Sequence, residues 1–388
     1  MGYTEKLPNG RWKGSYRTPD GRERSRTFPR KIDADTFWRN AEADKARGEW
    51  VDPRLGRQTF GEFAEAWRAA QVHDEATAEE VERSLRLHIL PTFAARPLAA
   101  IRPSEIQAWV KWRGETLAPS TLKVKYRWLA AVFNAAVLDG MIVRSPCRGV
   151  KLPVDNARAV APLGTQQVLD LVAALPERYR ALTVLAAATG LRQGEVFGLT
   201  MPHLDFLRRQ VNVQQQMKHL APKAPFLAAP KTPSSVRTVP LPDVALEAVA
   251  EHLRRWPAET TMRAVSGRDE LLVFTTGRGG RLTRATFNAT WRKAVTAAGL
   301  PDGTGFHELR HYYASLLIAS GASVKTVQAR LGHKSAVETL NTYAHLWPDS
   351  EDQTRRAVDS ALGHRGLSSG AGGAVEVGAP RDSASEKK

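Results

Sequence analysis

Residues 148–162, RGVKLPVDNARAVAP, carry neither a helical nor a strand period and interleave Pro, Arg and Val. Such a stretch belongs at a surface, because a buried irregular segment strands its backbone polar groups. The chain therefore divides around it. At 388 residues it has room for two or three domains. An apolar fraction of 42% with 25% charged residues supplies material for real cores and excludes wholesale disorder. The expected layout is an N-terminal unit over 1–57, a helical unit over 58–152, a mixed unit over 153–347 and a tail over 348–388, with the linker at about 148–162.

The first unit reads as a β-hairpin followed by a helix. RWKGSYR and RERSRTF are extended stretches flanking TPDG at 18–21, a turn signal. Period two puts Arg22, Arg24 and Arg26 on one strand face. That row is expected to contact nucleic acid. Asp33 is the expected cap of a helix running to about Arg47, with Gly48 beyond it.

The second unit reads as four helices. GEFAEAWRAA, AEEVERSLRLHIL, SEIQAWVKWR and the segment from Ser120 to Val143 all space their apolar residues by three and four. Leu122, Tyr126, Leu129, Phe133 and Val137 form the last helix's core stripe. Ser104 and Ser120 are expected N-caps, and Pro91, Pro97, Pro103 and Pro119 are expected punctuation. Lys123, Lys125 and Arg127 either face DNA or make an ordinary solvated face.

The third unit is α+β. Thr165 is the expected cap of its first helix, a second helix runs to Gly190 and a third passes through RQGEVFGL. VNVQQQ, the stretch around KTPSSVRTVPL, and LLVFTT read as short strands, with Pro-Ser-Ser at 233–235 as a hairpin turn. Helices return from Thr286. Residues 349–362 read as a short amphipathic helix with Ala357, Val358, Ala361 and Leu362 as its stripe, docking in cis or on a neighbouring protomer. The remainder of the tail is small and polar, hence disordered.

Charge narrows the partner. Lys+Arg 56 against Asp+Glu 40 gives +16, and every block before the tail is net basic. That points to a polyanion. A single cysteine, Cys147, excludes an intramolecular disulfide and a Cys-rich zinc module. The longest apolar stretches, such as ALTVLAAATG, are too short to span a bilayer, and MGYTEKLPNG lacks a signal-peptide core. A cytoplasmic, nucleoid-associated protein with no membrane partner is expected.

Five motifs in the third unit carry chemistry together: ATGLRQGEV with Arg192, PKTP with Lys231, HELRH with His307 and Arg310, LGHKS with His333, and NTYAH with Tyr343. Taken singly, each has a structural explanation. Taken together they make a reaction. A tyrosine hydroxyl, with a pKa of about 10, is a weak nucleophile that needs a base and an activated electrophile. Two arginine forks clamp phosphodiester oxygens and stabilise the charge of a pentavalent transition state. Histidines donate to those oxygens or accept the tyrosine proton, and a lysine protonates the leaving 5′ oxygen.

In this order and at these spacings the motifs resemble those of the tyrosine recombinase (phage integrase) family. G-L-R-x-x-E, H-x-L-R-H, L-G-H and the terminal Tyr carry the likeness, which extends over most of the chain. The resemblance implies a multidomain, mainly α fold with small β-sheets: an arm-type DNA-binding domain, a four-helix core-binding domain and an α+β catalytic domain. It implies that Arg192 and Arg310 bind the scissile phosphate, that Lys231 is the general acid, with Lys218 and Lys223 as rivals, that His307 and His333 assist, that Tyr343 attacks, and that Glu195 supports Arg192. Glu308 stands where many relatives carry Asp. The implied activity is metal-independent DNA integration and excision through a 3′-phosphotyrosyl bond, with no cofactor. The implied partners are double-stranded attachment sites, three further copies in a homotetramer, and a directionality factor or host DNA-bending protein. The two larger domains are implied to clamp the duplex.

Two other readings fit parts of the sequence. HELRH also matches H-E-x-x-H, the zinc-protease pattern, with His333 or Glu338 as a third ligand. Arg310 inside the motif, the basic charge and Tyr343 weigh against it. A non-catalytic DNA-binding accessory protein is the other, opposed by the intact nucleophile and arginines.

Overall fold

The computed structural model describes residues 2–48, 50, 52, 55–154, 160–220, 222–347, 355, 356 and 358–360. Most of the expected C-terminal helix, the polar tail after it and residues 155–159 of the linker lie outside the described residues. The chain divides into two units, Met1–Ala157 and Arg158–Lys388. Among the described residues it is mainly helical, with four small antiparallel sheets. Among the described residues no helix is long and apolar enough to cross a membrane.

In the first unit, β1 (Tyr3–Lys6), β2 (Trp12–Arg17) and β3 (Glu23–Phe28) form a sheet of order β1-β2-β3, backed by α1 (Lys31–Ala46). The expected hairpin thus gains an edge strand. The expected arginine row is not an open one. Arg24 pairs across the strands with Tyr16, whose ring packs on Phe37 of α1. Cross-strand partners share a face, so Arg24 and Arg26 lie on the side that meets the helix. Arg24 bonds Asp52 at 2.6 Å, Arg26 lies over the Phe28 ring, and Arg22, ahead of the strand, pairs with Asp20. The helix is capped by Arg30 and not Asp33. Asp33 sits inside the first turn, where its charge complements the helix dipole and meets the Arg30 side chain at 3.0 Å.

The helical part holds α2 (Phe60–Ala70), α3 (Glu75–Ser84), α4 (Leu90–Phe93), α5 (Pro103–Gly114) and α6 (Pro119–Leu138). A π-turn over Leu85–Ile89 fuses α3 to α4. Pro91 therefore does not punctuate: the wider turn ahead of it absorbs the missing N–H. Neither Ser104 nor Ser120 is an N-cap. Pro103 and Pro119 occupy the first turn with φ already helical, which moves the caps to Arg102 and Ala118. Leu122, Leu129 and Phe133 are fully buried in this core, with Tyr126 and Val137 partly buried against it.

Lys125 does not face solvent. It is 7% exposed, with its ammonium 2.5 Å from Glu80 and 3.2 Å from the Ser84 hydroxyl. Burial opposes ionisation of Glu80, but Lys125, Arg83 and Ser84 outweigh it and hold the carboxyl at about 2. Helical spacing put Lys125 beside Lys123 and Arg127, but α3 covers that position.

The second unit begins with α7 (Thr165–Ala174), capped by Gly164 with help from the Gln167 side chain, so Thr165 is its first residue and not its cap. Then follow α8 (Glu177–Thr189) and α9 (Gln193–Phe197). Strands β4 (Leu204–Asp205), β5 (Gln210–Val213) and β8 (Arg237–Pro240) form one sheet, and β6 (Gln216–Lys218) with β7 (Phe226–Ala228) another. Pro233–Ser235 is a 3-10 turn leading into β8, not a hairpin turn. Helix α10 (Asp243–Arg255) was not expected, although Ala245, Val249 and His252 bury one of its faces. Of LLVFTT only Leu271 belongs to a strand, β10 (Asp269–Leu271), paired with β9 (Thr261–Arg263). Helices α11 (Arg284–Ala297), α12 (Glu308–Ala319), α13 (Val324–Leu331) and α14 (Ala336–Tyr343) complete the unit, the first capped by Thr283.

The buried ion pair predicts a contrast within α6. Lys125→Ala lowers stability by about 1–3 kcal/mol in denaturant unfolding, whereas Lys123→Ala stays within about 0.5 kcal/mol. The Glu80 contribution is complete above its ordinary pKa of 4.5 and is lost as pH falls toward 2.

Candidate active site

Arg310 on α12 is 1% exposed. Its Nη1 donates to the Gly190 carbonyl at 2.8 Å and its Nη2 to the Leu331 carbonyl at 2.5 Å. These carbonyls end α8 and α13. Helix ends leave their last carbonyls unpaired and carry partial negative charge, so one guanidinium satisfies both. Gly190 takes φ +64°, and a Cβ there would stand 2.4 Å from the Tyr313 ring, so no other residue fits without displacing that ring. Burial, with Arg192 and Arg237 nearby, pushes Arg310 down to about 9, still charged at neutral pH.

Glu195 anchors the other two arginines. In the first turn of α9 its Oε2 accepts from the Arg192 backbone N–H at 2.9 Å, and its Oε1 from Arg192 Nη1 at 3.0 Å. Arg237, in β8, reaches the same carboxylate with both Nη atoms, at 3.1 and 2.8 Å, and fixes its Nε on the Arg330 carbonyl. Burial raises the pKa of Glu195, but the Arg237 fork and Arg192 overcome it, so it stays ionised below the usual carboxylate range. Two arginines thus share one carboxylate, and Arg310 beside them bonds only backbone carbonyls. The excess is positive, as an anion-binding centre requires.

Tyr343, the last residue of α14, is 1% exposed. Burial pushes its hydroxyl up to about 12, although Arg310 pulls the other way. The His333 ring stacks parallel to the Tyr343 ring, 6.4 Å between centroids, with its Nδ1 2.8 Å from Thr339 Oγ1. Burial and Arg310 push His333 down to about 4. His307, at the start of α12, lies edge-on to His311, 4.8 Å between centroids. Desolvation, then His311 and Arg310, hold it low as well, at about 4. His311 Nδ1 is 2.8 Å from Tyr343 Oη.

Of the residues expected from sequence, Arg192, Glu195, His307, Arg310, His333 and Tyr343 converge. Lys231 stands exposed between β7 and the 3-10 turn, Lys218 ends β6, and Lys223 lies in the loop between β6 and β7. The turn after Lys231 packs against the LGH segment: a Cβ on Gly332, at φ +65°, would meet the Ser234 carbonyl at 2.9 Å. A cleft of about 630 Å³ opens beside His307, lined by Gln193, Arg284, Asn288 and Arg292. Sequence reasoning missed Arg237, whose strand position carries no distinguishing signal. It considered His311 only as a zinc ligand, although its i, i+4 spacing from His307 placed both on one helix face. Among the described residues no three His, Cys, Asp or Glu side chains are arranged to hold a metal ion.

The chain matches known families over most of its length. Residues 163–349 match the phage integrase family, 1–47 the phage integrase N-terminal domain and 60–152 the phage integrase central domain. The chain is 28% identical over 355 residues to the prophage phiRv2 integrase of Mycobacterium tuberculosis, covering 89% of this chain and 91% of that protein. It is 30% identical over 295 residues to the integrase of Mycobacterium phage FRAT1, covering 74% and 85%. In fold it resembles the Tn1549 transposon integrase in complex with a circular intermediate DNA, with a TM-score of 0.69 at 21% identity, over 79% of this chain and 99% of that one. It also resembles a lambda integrase tetramer bound to a Holliday junction, with a TM-score of 0.56 at 19% identity, over 86% and 96%.

The stacked His333 gives a pH prediction. An unfolded imidazole protonates near 6.5, the buried one near 4, so the folded state loses stability as pH falls from about 6.5 to about 4. In an NMR titration the His333 ring keeps its neutral-state shift at pH 5.5. A midpoint near 6.5 would overturn this.

Proposed function

This chain belongs to the phage integrase family of tyrosine recombinases, and on that premise we propose that Tyr343 attacks a DNA phosphodiester gripped by Arg192 and Arg310. The observation that carries the proposal is the contact of a buried tyrosine hydroxyl with an imidazole beside an arginine cluster of net positive charge. Arg192 keeps its side chain 34% exposed while Glu195 steadies it, so it presents a fork outward. Arg310, fixed from behind, meets the same phosphate without reorganising, which is where electrostatic catalysis is most effective.

Attack forms the Tyr343 Oη–phosphorus bond and expels the 5′ oxygen. His307 and His333, both neutral at pH 7, donate hydrogen bonds to nonbridging oxygens, and Lys231 delivers a proton to the leaving oxygen. The 3′-phosphotyrosyl ester conserves the bond energy, so a partner strand's 5′ hydroxyl reseals the backbone. The chain's own side chains fill every role, including charge neutralisation.

The domain assignments follow: 1–57 as the arm-type DNA-binding domain, 58–152 as the core-binding domain and 153–347 as the catalytic domain. Arg22, Arg26, Lys123 and Arg127 serve the DNA contacts, Arg24 only after leaving Asp52, and Lys125 takes no part. Four copies assemble on paired attachment sites at the nucleoid, as the tetrameric lambda neighbour suggests, with a directionality factor or host DNA-bending protein setting the outcome.

The test is covalent trapping on nicked suicide duplexes cut from the DNA flanking the gene. Wild type forms a protein–DNA adduct on a denaturing gel, unaffected by EDTA; Tyr343→Phe binds the same DNA and forms none. Arg192→Lys keeps the charge but loses the fork, and its cleavage rate falls by at least about 100-fold with little change in affinity. An adduct formed by Tyr343→Phe would refute the assignment of the nucleophile.

A further inference from the structure

We propose that His311 is a catalytic residue: it holds the Tyr343 hydroxyl at rest and takes its proton as the tyrosine attacks phosphorus. This rests on Tyr343 being the nucleophile.

The geometry singles it out. Burial leaves the Tyr343 hydroxyl a poor donor of its proton, so attack needs an acceptor within hydrogen-bond reach. His333 is badly oriented for that: its ring lies parallel to the tyrosine, within 10°, and its Nδ1 is engaged by Thr339. An imidazole lone pair lies in the ring plane, so a stacked ring points it away from its neighbour. Arg310 has only donors. His311 reaches Oη with Nδ1 at 2.8 Å, its ring tilted 66° to the tyrosine's. With its proton on Nε2, it accepts from the hydroxyl. Its elements also hold it there. Tyr343 ends α14, whose Ser335 cap fixes the start of the helix, and His311 lies one turn into α12 between Arg310 and the buried Tyr312.

The charged and titratable groups around His311 are His307 at the start of α12, Arg310 on α12 and Tyr343 on α14; Glu308 and Glu338 act on the tyrosine, and His333 flanks it. Burial and then Arg310 lower the His311 pKa from its ordinary value, which keeps the ring neutral and its lone pair available at neutral pH. In the step, the O–H electron pair becomes the new Oη–phosphorus bond, the proton moves to His311 Nδ1, and the phosphorus–O5′ bond breaks with its electrons on O5′. The scissile phosphate brings the negative charge that offsets the imidazolium formed beside Arg310.

The experiment is single-turnover cleavage of the nicked duplex by the full chain, with DNA affinity measured in parallel. His311→Asn retains an acceptor near the Nδ1 position but no usable base; His311→Phe keeps the ring alone. Both are expected to bind DNA like wild type and to cleave at least about 100-fold more slowly. A duplex with sulfur in place of the leaving 5′ oxygen separates the two ends of the reaction. Thiolate leaves without a proton, so it rescues loss of a general acid but not loss of the nucleophile's base. Both variants should stay slow on it. Cleavage by His311→Asn within about threefold of wild type would reduce His311 to a packing or positioning role and overturn the proposal. If a variant loses DNA binding, the wild-type pH–rate profile on the sulfur substrate decides: a limb with its midpoint below 6.5 supports the proposal, and a rate rising without a plateau to pH 9 overturns it. Failure of the underlying reading looks different, since wild type would then give no adduct or Tyr343→Phe would give one.

Discussion

Everything at the site is arranged around one buried cation. Arg310 has been taken out of water and must be compensated where it stands. Two helix C-termini, at Gly190 and Leu331, supply carbonyls at 2.8 and 2.5 Å. That solution fixes the relative placement of α8, α12 and α13, and with them the residues that follow each helix. Arg192 comes two residues after Gly190, and His333 two residues after Leu331. A guanidinium held by dipoles alone keeps its full charge, so the cluster remains short of anions. Glu195 offsets one unit while holding two further arginines. Under the proposed function, a phosphodiester makes good that deficit.

The tyrosine proposed as the nucleophile is treated in the opposite way. Burial keeps the Tyr343 hydroxyl protonated, which suppresses attack until an electrophile and an acceptor are both in place. The neutral histidines around it belong to the same design. Burial first, and then neighbouring positive charge that includes Arg310 and Arg192, keeps His307 and His333 neutral, where each has a donor and an acceptor nitrogen. The arginines proposed to bind the phosphate thus also contribute to the protonation states of their neighbours. A site built from helix ends is well suited to this, since its charges sit on rigid elements that change little during the reaction.

How much of this was legible beforehand varies with the range of the interaction. The helical runs of the central part were visible because apolar spacing is local: Leu122, Leu129 and Phe133 are buried as their period requires. Their boundaries were less visible. Proline at the first helical position displaces a cap that serine would otherwise supply, and a π-turn lets a helix run through Pro91. LLVFTT was misread as a strand because β-propensity describes fit to a half-buried surface: Leu272, Val273 and Phe274 are buried, but beyond Leu271 the pairing shrinks to isolated bridges at Leu272 and Thr275. The motif residues were legible because the chemistry of a phosphodiester restricts which side chains can serve it.

Residue type and order along the chain were enough to point to the family and the mainly helical architecture, and to nominate side chains that the fold brings together, since these depend on charge, periodicity and functional-group chemistry that each residue carries with it. Which side chain meets which partner was decided only in three dimensions. Lys125 finds Glu80 across 45 positions, Arg237 finds Glu195 across 42, and Tyr343 finds His311 across 32. On the strand and helix surfaces where these cations start, Lys125 and Arg24 look no different from solvated neighbours. Packing alone removes them from water, and a charge removed from water must take the partner that the fold places within reach.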